Sequence, residues 1–88
     1  MKYLVKNTVE IEFTDGELFI IDNETGFVGT GNKYAYQVLC QMNEARTKEE
    51  IIQNLKTLYS EDQYPRIEKS VPKIIDWAME REIIKQIQ

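Results

Sequence analysis

Histidine is absent from this chain of 88 residues, and cysteine occurs once, at Cys40. The first absence excludes Ser-His-Asp and Cys-His nucleophilic arrangements and any metal site built on imidazole. The second excludes an internal disulfide and a thiolate metal cage, and makes a reducing compartment the natural setting. Cys40 lies off the apolar stripe of its helix with nothing beside it to lower its pKa, so a spare thiol is the simpler reading than a nucleophile. Long apolar runs are also missing. No stretch of about 18 apolar residues exists, and Met1–Phe13 alternates instead of forming a signal-peptide core, so the chain reads as soluble and cytoplasmic, with no membrane partner. Positive charge is in deficit: 11 basic against 15 acidic residues give a net charge of -4, which argues against nucleic acid as a partner. No cofactor or metal is expected.

What remains is a chain that is 42% hydrophobic and 30% charged, long enough for one small domain, taken as 1-88, and too short for an enclosed active site. Val9, Ile11 and Phe13 alternate with Glu10 and Glu12, as on a strand with one dry and one wet face. Asp15-Gly16 is a two-residue hairpin signal, because a type I′ turn needs positive φ at both positions. Leu18-Phe19-Ile20-Ile21 is apolar on both faces, which suits a central strand covered from both sides. Asn23-Glu24-Thr25-Gly26 is a second turn, with Gly26 taking a left-handed conformation, and Phe27–Thr30 is a short third strand.

After Gly31 the period changes to that of a helix. Asn32 is a good N-cap for a first helix to about Asn43, with Ala35, Val38, Leu39 and Met42 on one face. Thr47-Lys48-Glu49-Glu50 is a capping box opening a second helix with the stripe Ile51, Ile52, Leu55, Leu58 and Tyr59. A third carries Ile67, Val71, Ile74, Ile75 and Ala78. Pro72 allows two starts, a long helix from near Pro65 that is kinked, or a shorter one capped by Ser70. The in-phase Ile67 favours the long one. Ile83, Ile84 and Ile87 end the chain as a strand or a docked tail. The order is β-β-β-α-α-α, an α+β fold.

The segment GFVGTGNKYA, residues 26 to 35, looks at first like a phosphate loop. Gly26 and Gly31 have the P-loop spacing, but Asn32 and Tyr34 stand where lysine and hydroxyl should be, and Tyr34 spoils the dinucleotide pattern. The glycines instead permit close approach. Gly29 leaves a bare patch in an uncharged edge strand, which is either a bulged edge beside a helix cap or an edge kept open for a guest strand. If Asp22 and Phe27 pair through hydrogen bonds, Phe27 and Gly29 face inward and Val28 and Thr30 offer their amides outward.

The order and spacing of these motifs, from the Asp-Gly hairpin and the Thr25-Gly26 turn through Asn32 and Ala35 to Thr47-x-x-Glu50-Ile51 and the apolar third helix, resemble the PqqD-like family over about residues 8 to 85. These are recognition elements for ribosomally made, post-translationally modified peptides, lasso peptides among them. The resemblance implies a winged helix-turn-helix-like fold, a three-stranded antiparallel meander followed by three helices. It implies a non-catalytic module that takes the leader region of a precursor peptide as an added strand on the third strand, beside the third helix. The module would present it to a leader peptidase, cyclase, radical SAM or other modifying enzyme. The chain departs from the family pattern in three places: Gly31 where leucine is common, Arg81-Glu82 where glycine is common, and Pro72.

The expected peptide-binding residues are Phe27, Val28, Gly29 and Thr30 on the strand, and Arg66, Ser70, Lys73, Ile74 and Trp77 on the helix. At about 100° per residue, Arg66, Ser70, Lys73 and Trp77 share a face a third of a turn from the core stripe, with Lys69 nearby. That face is either a solvated flank or a cationic groove lip with an aromatic anchor, suited to an acidic leader. The rival reading is a winged-helix DNA-binding regulator, opposed by the net charge and by Glu68, Asp76 and Glu80 on the same helix.

Overall fold

The computed structural model describes residues 1–87. Its elements run β1 (Lys2–Val5), β2 (Val9–Thr14), β3 (Glu17–Asp22), β4 (Val28–Gly31), α1 (Lys33–Gln41), α2 (Lys48–Lys56), α3 (Tyr64–Glu80) and β5 (Ile84–Ile87), with a 3-10 turn at Glu61–Gln63. Strands β2, β3 and β4 form the expected antiparallel meander in that order. A second, two-stranded sheet pairs β1 with β5, Lys2 opposite Ile87 and Val5 opposite Ile84. Ile84–Ile87 is therefore a strand, and the chain has a first strand that the alternation of its N-terminus did not separate from β2. Tyr3 and Arg46 exchange backbone bonds of 2.8 and 3.1 Å, and Val5 N–H donates to the Met42 carbonyl, so β1 also ties down the α1–α2 connection.

The turns form as their residues demand. Asp15 and Gly16 have φ of 52° and 76°, the two positive values of a type I′ turn. Gly26 has φ of 80°; its N–H donates to the Asp22 carbonyl while Asp22 N–H donates to Phe27, each at 2.9 Å. Gly26 and Phe27 thus oppose one residue, a glycine bulge that starts β4 at Val28, one position later than the sequence suggests. No bulge occurs at Gly29, which pairs in continuous register with Ile20.

Helix α1 is capped by Asn32 Oδ1, which accepts from Ala35 N–H at 2.9 Å. Helix α2 has the full capping box, Glu50 N–H to Thr47 Oγ1 at 3.1 Å and Thr47 N–H to Glu50 Oε1 at 2.8 Å. Helix α3 runs from Tyr64 through Pro72 to Glu80, so the long start holds and Ser70 is interior. It ends on Glu82 in a left-handed conformation (φ 59°), with Ile83 N–H closing onto the Ala78 carbonyl at 2.9 Å. Glutamate here does the work that glycine usually does at a helix end.

The core is one cluster. Leu18 and Ile20 from the sheet meet Val38, Leu39 and Met42 of α1, Ile51 and Leu55 of α2, and Ile67, Val71, Ile75 and Ala78 of α3, closed by Ile83 and Ile84. Removing a large member such as Ile20 or Leu55 by alanine substitution costs about 2–5 kcal/mol, enough to threaten a domain this small. Two expectations fail at its margin. Leu58 lies beyond α2 and is exposed. Strand β3 is not covered on both sides: Leu18 and Ile20 are buried, whereas Phe19 and Ile21 face outward. Among the described residues, the outer face of the meander at Phe19, Ile21 and Val28 is left exposed.

Candidate functional site

The β4 edge and α3 face each other across a cleft of about 340 Å³ lined by Leu18, Thr30, Gly31, Asn32, Tyr34, Ala35, Ile74 and Trp77. Its strand wall follows from the turn. With Asp22 bonded to Phe27 and the register Ile21–Val28, Ile20–Gly29, Phe19–Thr30, Leu18–Gly31, the pairs at Gly29 and Gly31 are the hydrogen-bonded ones. Val28 and Thr30 consequently turn their N–H and C=O groups away from β3. Strand β4 is the last of its sheet, so these groups have no strand partner among the described residues. The opposite edge, β2, carries Glu10 and Glu12, the charges that usually discourage strand addition; β4 carries none.

Phe27 and Gly29 form a unit. A Cβ built on Gly29 would lie 2.8 Å from the Phe27 ring, so any side chain there would displace the phenylalanine that lies over the glycine. Gly29 therefore offers no bare patch to a guest; Phe27 already occupies it. The same ring meets Trp77 edge-on, centroids 6.4 Å apart at 70°. Gly31 leaves room. Leu18 Cδ2 lies 3.1 Å and Ala35 Cβ 3.6 Å from where its Cβ would stand, so a leucine there would crowd Leu18 and fill cleft space.

Helix α3 supplies the second wall. Ile74 leaves the core stripe far enough to line the cleft beside Trp77. Ser70 is not free for a ligand. Its hydroxyl donates to the Arg66 carbonyl at 2.8 Å and shares a 2.6 Å bond with Tyr34 Oη, pinning α1 to α3. The Arg66 guanidinium lies 5.3 Å from the Tyr34 ring centroid, and that of Arg81 lies 5.1 Å from Trp77. Lys73 is exposed between them. Glu68 is drawn off to Lys56 at 3.5 Å and Arg81 has Glu80 at 3.8 Å, whereas among the described residues neither Arg66 nor Lys73 forms an ion pair with an acid. Arg66 and Arg81 thus stand over Tyr34 and Trp77, two residues that line the cleft.

Of the nine expected positions, Thr30, Ile74 and Trp77 line the cleft. Phe27 packs on Trp77, Gly29 seats Phe27, Ser70 braces Tyr34 and Arg66 lies over Tyr34, whereas Val28 and Lys73 are exposed and not among the lining residues. Missed were Leu18, Gly31, Asn32, Tyr34, Ala35 and Arg81. Arg81 follows Trp77 by four residues, a spacing that signals contact on a helix. Tyr34 and Ser70 are 36 residues apart and carry no local signal.

The turn behind β4 is held by Asp22, wholly buried. Its Oδ1 accepts from Glu24 N–H at 2.9 Å and from Thr8 Oγ1 at 3.0 Å, and Lys6 Nζ stands 3.8 Å from Oδ2. The Glu24 amide is the main reason its carboxyl sits below the ordinary aspartate value; burial pushes the other way and the Thr8 hydroxyl reinforces the lowering. Among the described residues no group of acids, cysteine or histidine could hold a metal ion, and no helix is long and apolar enough to cross a membrane.

No family model matches the chain, and no curated protein sequence is similar to it. Among solved structures, the fold is that of TbiB1, in a structure described as TbiB1 in complex with the TbiA(beta) leader peptide. The TM-score is 0.78 at 18% sequence identity, covering 97% of this chain and 98% of that one.

Proposed function

We propose that this chain is a non-catalytic, PqqD-like recognition module that captures the leader region of a ribosomally made precursor peptide. The leader is held as an extra strand on β4 and passes to the pathway's maturation enzymes, a leader peptidase, cyclase or radical SAM enzyme. The observation that carries the reading is the uncharged β4 edge, with the Val28 and Thr30 backbone turned outward beside an apolar cleft on α3. The shared fold with a protein solved in complex with a leader peptide supports it. The single unpaired cysteine suits the cytoplasm.

Strand addition makes the recognition rules explicit. Backbone bonds to Val28 and Thr30 supply affinity without regard to sequence. Guest residues opposite Gly29 and Gly31 share their face of the sheet and point towards Ile74 and Trp77. A leader with apolar side chains two residues apart fits that cleft. Acidic residues flanking them would meet Arg66, Lys73 and Arg81, which set encounter rate and specificity more than affinity.

A DNA-binding role would send α3 into the major groove. Glu68, Asp76 and Glu80 are exposed along it and interrupt its cations, so the peptide reading is the stronger. Calorimetry with the leader and core halves of the precursor as separate synthetic peptides tests it. The leader half binds in the nanomolar to low micromolar range, roughly -8 to -12 kcal/mol. Preference for the core half, or a shift of duplex DNA at low salt without leader binding, would overturn it.

A further inference from the structure

The outer face of the β2–β3–β4 sheet carries an apolar patch that leader capture does not use. Phe19, Ile21 and Val28 are 37%, 43% and 67% exposed. Ile21 stands directly opposite Val28 on one side and Glu10 on the other, and Phe19 lies between Glu12 and Thr30, so the patch is a continuous block two strands wide. Thr14 and Glu17, the last pair of the β2–β3 hairpin, complete the face. Its eight residues include three glutamates and no lysine or arginine. Large apolar side chains gathered on an exposed face, bordered by one sign of charge, mark a protein-binding surface.

We propose that this face docks the enzyme that acts on the captured precursor, through a partner surface of apolar side chains bordered by lysine or arginine. The proposal rests on the leader-binding reading for the identity of the partner. Charge selects the occupant. A second copy stacked face to face would set Glu10, Glu12 and Glu17 against their own images, whereas a cation-rimmed partner pairs with all three. Position selects it as well. Val28 turns its backbone to the leader edge and its side chain to this face. A leader strand on β4 would continue the face by one strand, with every second side chain beside Val28. The enzyme would then meet module and substrate on one surface, and a loaded module would bind it more tightly than an empty one.

The test uses the full chain, a synthetic leader peptide and a purified leader-acting enzyme of the same pathway. Ile21→Lys, and separately the pair Glu10→Lys with Glu12→Lys, should leave leader affinity within twofold of the parent. Each should weaken enzyme binding at least tenfold, more so at low salt for the glutamate pair. Phe19→Ser repeats the measurement should Ile21→Lys fail to fold by circular dichroism. Enzyme affinity unchanged in folded variants that still bind leader would overturn the proposal. So would a parent dimer in sedimentation velocity that Ile21→Lys disperses, since the face would then belong to a second copy. A parent that binds the enzyme in an Ile21-dependent way but no leader would overturn the leader reading and leave the docking face standing.

Discussion

Trp77 touches both sides of the groove, its ring edge-on to Phe27 and covered by Arg81. A half-buried aromatic at the centre of a cleft is the kind of side chain whose truncation costs most in binding, about 2 kcal/mol or more. Trp77→Ala is therefore expected to weaken leader binding at any salt concentration, and Trp77→Phe to restore much of it. The cations act differently. Lys73→Glu or Arg66→Glu is expected to slow association with an acidic leader at low ionic strength, with the loss shrinking as salt is added. Stopped-flow association rates at two salt concentrations separate the two behaviours; rates indifferent to charge reversal at low salt would make the lip a mere solvated flank. Asp22 supplies a residue-scale test of stability. Because folding lowers its pKa below the ordinary value of 3.8, the folded state gives up this proton more readily than the unfolded chain. Its stabilisation is complete above that value and drains away as the pH falls through it towards the folded value. The parent's unfolding midpoint should thus fall more steeply on acidification below about pH 4 than that of Asp22→Asn. Glu50 and Asp62 are lowered too and persist in the variant, so the slope shrinks without vanishing. Equal slopes would show that the Asp22 network does not hold the β4 turn.

At the scale of elements, β4 is the informative one, because proline can ask which way each of its amides points. Proline removes an N–H; on an outward amide it costs the sheet little, and on an inward one it breaks the ladder. Val28→Pro and Thr30→Pro should each remain folded and bind leader more weakly by at least about 1 kcal/mol, roughly fivefold. Gly29→Pro should damage the fold itself, since Gly29 bonds to Ile20 and lies beneath Phe27. Circular dichroism and calorimetry on the three variants check this. Folded Val28 and Thr30 variants that bind as tightly as the parent would remove the guest strand from β4.

For the whole molecule, legibility in the sequence followed the range of the interaction. Asp15-Gly16, Asn32 and the Thr47–Glu50 box are contacts within four residues, and each is visible as a motif. The stripes of α1 and α3 are periodic and hence readable, and the Asp22–Phe27 pairing follows from turn chemistry alone. The β1–β5 sheet was hidden because its partners stand about eighty residues apart, with no hairpin to announce them. Phe27 over Gly29 was half visible: glycine showed that something lies flat on the strand, but not that the chain supplies it. The bare outer face of β3 reversed a reading of Phe19 and Ile21, since apolar composition says that a side chain would gain from cover and not that cover comes from its own chain. The groove formed by these long-range contacts is most directly tested by amide hydrogen exchange of the protein, free and saturated with leader peptide. Val28 and Thr30 amides should become protected on binding, while Gly29, already bonded to β3, should change little. Leader binding that leaves Val28 and Thr30 exchanging as in the free protein would contradict strand addition at this edge.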